Sequence, residues 1–221
     1  DYPPRDTAVV MRMVLIALIP GVVAMMIFFG PGVLFNLTAA ILTAIASEAL
    51  CLGVRKREIQ SRLSDLSAVL TGVLIALALP QAAPWWLVIA ATASSVILGK
   101  HIYGGLGQNP VNPAMLGYAL MLISAPVSMT TLWINPLATP DLATAWSAFL
   151  GQASDAVTGA TTLDLYKTEF RALTAIEAVR NPLFSQAHLG FIYGYEWVAL
   201  AYFAGGLWLI YQRVITWHTP A

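Results

Sequence analysis

Apolar positions in this chain come in long blocks, separated by short turns rich in glycine, proline or basic residues. Met13 to Gly30 is long enough to cross a hydrocarbon core of about 30 Å at about 1.5 Å per residue, with a kink expected at Pro20-Gly21. After the turn Gly30-Pro31-Gly32, Val33 to Val54 crosses back, broken only by Asn36, Glu48 and small Thr and Ser residues, so the two runs predict a hairpin. Leu66 to Leu79, Trp85 to Leu98, Val111 to Val127 and Trp197 to Tyr211 bring the predicted spans to six. The third and fourth are short and are expected to borrow flanking residues or tilt little. Gly205-Gly206 would let another helix pack closely on the sixth.

The pattern predicts an all-α polytopic membrane protein. Residues 1–127 carry helices 1–5, with a basic loop at 55–65 and a Gly/Asn/Pro break at 104–113. Residues 128–196 turn polar and mixed, an extramembrane segment with short helices expected from Leu163 and near Leu173 to Val179. Residues 197–221 are the sixth helix and its end.

Composition supports this reading: 58% of residues are hydrophobic and 10% charged, which rules out an ordinary soluble fold and makes lipid a partner. Eleven Lys and Arg balance eleven Asp and Glu, so no basic excess is available for nucleic acid. The one cysteine, Cys51, reads as a small buried hydrophobe, and the scattered His101, His188 and His218 predict no metal site. The chain begins at Asp1 and stops just past a span, with no cleavable signal visible, as expected of the ordered portion of a longer protein.

When six spans alternate, Arg5, Arg12, Arg55, Lys56, Arg57, Arg62, Lys100 and Arg213 fall on one side, while the turns at 30–32 and 80–84 carry no Lys or Arg. The basic side, with the N-terminus, is therefore expected to be cytoplasmic and the 128–196 segment outside. Lys167, Arg171 and Arg180 lie in that long segment, where charge says little about topology.

Three places carry candidate chemistry. Glu48 is an acid inside a span, where ionisation is costly enough to suggest an ion path; the competing reading is a snorkelling carboxylate or one paired with nearby Arg55 and Lys56. Asp65 precedes the third span and can cap it, and Trp85, Trp86, Trp133, Trp197 and Trp217 read as interfacial anchors.

The second place is Lys100 to Ala114, too rich in Gly, Pro and Asn for a regular helix. Irregular backbone at membrane depth survives where it is buried or lines a polar cavity, which marks Gly104, Gly105, Gly107, Asn109 and Asn112 as candidates for a binding site. A tight re-entry turn with asparagine caps on the fifth span explains the same residues. No Walker loop fits, since no Lys-Ser/Thr follows the glycines.

The third is Asp155-Ala156-Val157-Thr158-Gly159-Ala160-Thr161, a glycine-containing turn that feeds a short amphipathic helix. Thr161 lies near that helix start with Asp164 three residues on. The pair reads either as a capping box or as a seat for a phosphate on the free amides of the first turn.

Asp155, Thr158, Gly159, Ala160 and Thr161 resemble the flavinylation motif Asp-Gly-x-Ser/Thr-Gly-Ala-Thr, with Ala156 in place of the usual glycine. Tyr103-Gly-Gly-Leu-Gly-Gln-Asn-Pro-Val-Asn-Pro-Ala-Met and Leu122-Ile-Ser-Ala-Pro-Val-Ser-Met-Thr extend the likeness, which runs from about Ala8 to Thr219. The chain thus resembles the RnfD/NqrB family of membrane subunits, found in the Rnf ferredoxin:NAD oxidoreductase and the sodium-pumping NADH:quinone reductase. The resemblance implies FMN joined through its phosphate to Thr161 by a flavin transferase, a non-covalent riboflavin near the membrane, and electron flow coupled to Na⁺ or H⁺ movement.

It also implies other redox and membrane subunits as partners, a bacterial inner-membrane location and a periplasmic flavin loop. The fold it implies is an inverted repeat similar to urea transporters, of which this chain would hold the first five helices and the start of the second half. Two other functions fit the helical pattern alone: a small-solute channel of urea-transporter type, and a scaffold subunit that carries no electrons.

Overall fold

A computed structural model describes residues 6–105, 107–134, 139–152 and 194–215. Its regular elements are helices: α1 (Thr7–Phe29), α2 (Gly32–Val54), α3 (Ile59–Leu63), α4 (Ser67–Ala78), α5 (Trp85–Ser94), α6 (Pro113–Ser124), α7 (Pro126–Thr131), α8 (Leu142–Phe149) and α9 (Tyr195–Tyr211). From Ser95 to His101 α5 continues in the wider π-helical winding, where Ile102 N–H donates to the Ile97 carbonyl at 3.0 Å. The chain folds as an all-helical polytopic membrane protein, and each of the six predicted spans overlaps one of the longer helices, with α1 starting six residues and α9 two residues ahead of the predicted span.

α1 and α2 are each 23 residues of almost entirely apolar sequence, long enough to cross a bilayer. Pro20 lies inside α1 without ending it. Gly30, at φ 84°, takes the left-handed conformation that closes the α1–α2 turn and that glycine adopts without strain. The fifth span is shorter than its apolar run: α6 ends at Ser124, and the chain bends at Ala125 before Pro126 opens α7.

The outer surface is as apolar as the interior. Leu42 is 63% exposed and Ile123 79%, which water would not tolerate over so wide an area and lipid tails do. Inside, Val33, Ile75, Leu79, Leu87 and Val88 form the core between α2, α4 and α5.

Small residues let the helices close on one another, as packing in lipid requires. A methyl at Gly205 would run into the Ala17 carbonyl oxygen and one at Gly21 into the Tyr202 ring, so α9 lies tightly against α1. Gly206, expected to share this role, faces open space. Gly117 sets α6 against Ala91 and Ser95, and Ser95 Oγ donates to the Pro113 carbonyl at 2.6 Å.

At the end where α1 turns into α2, Asn36 Nδ2 donates to the Pro80 carbonyl at 2.9 Å and the Gln81 side chain accepts from Ile134 N–H at 3.2 Å. Asp141 caps α8, accepting from Thr144 N–H at 3.0 Å, and the Thr144 hydrogen bonds hold its carboxyl below its ordinary value. That short helix docks on the first turns of α2 through Phe35, Trp146 and Phe149, whose rings lie 5.1 to 5.8 Å apart.

Candidate functional site

α2 and α5 run parallel, and this brings Glu48 on the last turns of α2 beside the π-helical end of α5. Lys100 Nζ stands 2.8 Å from Glu48 Oε1 and 2.7 Å from Ser67 Oγ, the first residue of α4. His101 Nε2 lies 2.9 Å from Glu48 Oε2, but without the alignment of a hydrogen bond, so each of those two buried atoms is left unsatisfied.

The group is deeply buried: Glu48 is 2% exposed, Lys100 3%, Ser67 4% and His101 5%. Charges so placed survive only when paired and hydrogen-bonded, because each costs several kcal/mol to strip of water. The π-helical winding places two consecutive side chains, Lys100 and His101, on one carboxylate.

The surroundings hold the site in shape. Asp65 Oδ1 accepts from Ser67 N–H at 2.8 Å and from Ser67 Oγ at 2.5 Å, capping α4 as its position suggested. Leu66 between them takes φ 61°, a left-handed conformation that a branched side chain rarely adopts and that this network maintains. Arg55, at the end of α2, donates through its guanidinium to the His101 carbonyl. Beside the cluster lies a cavity of about 10 Å³, lined by Glu48, Asp65, Lys100, His101, Arg57, Gly104 and Gly105, the room of one water molecule.

Glu48 is therefore paired, but not with the Arg55 and Lys56 that follow it in sequence. Lys100, counted among the basic residues at the membrane edge, is instead an interior counter-ion. Cys51, expected to be buried, is half-exposed on α2.

Of the glycines and asparagines in the 104–113 break, Gly104 and Gly105 reach this cavity. Both have φ near 115°, and Gly107 has φ 83°. Asn112 caps α6 by accepting from Ala114 N–H at 3.0 Å, and Asn109 Nδ2 donates to the Val111 carbonyl at 2.9 Å, so both amides serve the turn. A cavity the size of one water does not accommodate a flavin ring.

Asp155, Thr158, Gly159, Ala160 and Thr161, the short helices expected from Leu163 and near Leu173 to Val179, and Trp217 lie outside the described residues. The two ends of that segment are placed: Gln152 follows α8, which packs on the start of α2, and Gly194 sits against Phe28 at the end of α1. Both lie at the end of the bundle away from Glu48 and Arg55.

Residues 3–221 match the family described as NQR2, RnfD, RnfE. The chain belongs to that family. It is 43% identical over 234 aligned residues to the D subunit of the ion-translocating oxidoreductase complex of Salmonella heidelberg (strain SL476), and equally so to those of Salmonella choleraesuis and Salmonella typhimurium. The alignments cover 98% of this chain and 66% of those proteins, so it spans slightly under two-thirds of the length of the relatives it matches.

Proposed function

We propose that this chain is part of a membrane subunit of an ion-translocating oxidoreductase complex, and that it carries electrons through FMN phosphoester-linked to Thr161. The observation that carries the proposal is the Asp155 to Thr161 sequence in a chain whose family membership covers residues 3–221. The relatives are named as subunits of such a complex. Other redox and membrane subunits are then its partners, and a flavin transferase its maturation enzyme. In the Rnf complexes of the family resembled here, the electron route joins ferredoxin and NAD.

FMN supplies one- and two-electron redox chemistry where it is attached. The chain supplies the attachment oxygen, the Thr161 hydroxyl, in a sequence where the small residues Gly159 and Ala160 precede it. The placement of Gln152 and Gly194 at one end of the bundle supports a flavin loop on the side opposite the basic residues. Under the positive-inside rule the N-terminus and the Arg55 to Arg57 turn are cytoplasmic and Thr161 lies on the far side, which is the periplasm if the membrane is the bacterial inner membrane that the family resemblance implies.

Coupling to Na⁺ or H⁺ is assigned to Glu48, the buried acid whose Oε2 lacks a hydrogen bond. A non-covalent riboflavin at Gly104, Gly105, Gly107, Asn109 and Asn112 would rest on the outer surface of that turn, since the cavity beneath it is too small. Coexpression with a flavin transferase tests the central assignment: a band fluorescing under ultraviolet light after denaturing electrophoresis, absent in Thr161→Ala, is expected. A chain that stays dark with active transferase would rule out the flavin and leave the channel or scaffold functions.

A further inference from the structure

We infer that Lys100 is a tethered cation occupying a monovalent-cation seat on Glu48, so that a free cation binds this carboxylate only when the Lys100 ammonium lets go of it. The inference deepens the reading of Glu48 as part of an ion path and rests on that reading.

The seat is made of oxygen atoms. Glu48 Oε1 and Ser67 Oγ hold the ammonium at 2.8 and 2.7 Å, and Asp65 Oδ1 lies 2.5 Å beyond on the same hydroxyl. Carboxylate and hydroxyl oxygens with space for one water are the donor set of a hard cation. An ammonium nitrogen and a free cation cannot share the position, because two like charges at that separation repel strongly in a buried site.

A second observation points to a ligand. Glu48 Oε2 is buried with no hydrogen bond, and the His101 ring nitrogen that faces it at 2.9 Å is misaligned. A purely structural pair would be expected to satisfy both carboxylate oxygens, since a half-satisfied buried network is less stable than an apolar replacement. Lys100 carries its ammonium on a flexible four-carbon stem, the part that must move for the seat to open, and Ser67 Oγ, its second partner, is itself bonded to Asp65.

The charged groups around the seat come from every element that meets there. They are Glu48 on α2, Arg55 and Arg57 in the turn after it, Asp65 before α4, and Lys100 with His101 on the end of α5. With Lys100 removed, two carboxylates face the cavity and the remaining full positive charges are those of the two arginines around it.

The test is equilibrium binding of radioactive sodium to the purified complex containing the full-length chain, with wild type, Lys100→Met, Lys100→Arg, Glu48→Gln and the double variant Glu48→Gln/Lys100→Met. Lys100→Met is expected to bind sodium at least about tenfold more tightly than wild type. Lys100→Arg should stay near wild type, and the double variant should lose the added binding. An unchanged isotherm in Lys100→Met overturns the tethered cation. So does a Lys100→Met chain that fails to assemble while the double variant assembles and binds as wild type, because the pair is then structural only. Ion-coupled turnover of Glu48→Gln is read separately: if it equals wild type, the ion-path reading of Glu48 has failed, whatever the binding of Lys100→Met.

Discussion

Lys100 and Glu48, 52 residues apart in the chain, meet at 2.8 Å inside a helical bundle whose outer surface is apolar. Breaking one side of a buried pair leaves an uncompensated charge, at a cost of about 3–5 kcal/mol. Glu48→Ala and Lys100→Ala should therefore each lower the thermal midpoint in detergent. The double variant should lose less than the two effects added together, as measured by a double-mutant cycle.

The α1–α9 seam depends on two positions without a side chain. Gly205→Leu and Gly21→Leu are expected to cost about 1–3 kcal/mol by overpacking against Ala17 and Tyr202. Gly206→Ala, which faces open space, should be tolerated. Thermal-shift size-exclusion profiles of the three variants check this.

Docking of α8 carries a pH dependence. The Thr144 hydrogen bonds lower the Asp141 carboxyl from its ordinary 3.8, so the ionised form stabilises the helix start. That contribution is complete above the ordinary value and is lost as pH falls through the lowered one. Fluorescence of Trp146, which stacks on Phe149 one turn away, should change on strong acidification in wild type, and much less in Asp141→Ala.

Asn112 is an N-cap whose side chain accepts from Ala114 N–H. Replacing it with alanine should cost about 1 kcal/mol and loosen the start of α6. Faster amide exchange at residues 114–116, with α1 unchanged, is the expected result.

The spans were legible because lipid leaves backbone groups no partners but their own helix, so each crossing must be one apolar block. Glu48 stood out for the same reason, as a lone acid in such a block. Its partners did not: the pairing with Lys100 and His101 depends on the side-by-side parallel fit of α2 and α5 and on the π-helical winding after Ser94, neither of which hydrophobic periodicity reports. A Lys-His pair closing one apolar run, with an acid near the same end of a neighbouring run, was the available signal. α8 was also readable in retrospect, from Asp141 as a cap and the spacing of Leu142, Trp146 and Phe149 along one helix face.

Whether Thr161 bears a flavin decides between an electron carrier and its rivals. Mass spectrometry of the peptide containing Thr161, from full-length chain made in cells with an active flavin transferase, should show the mass of FMN less one water on that residue. A bare Thr161 in those cells would contradict the electron-carrying role.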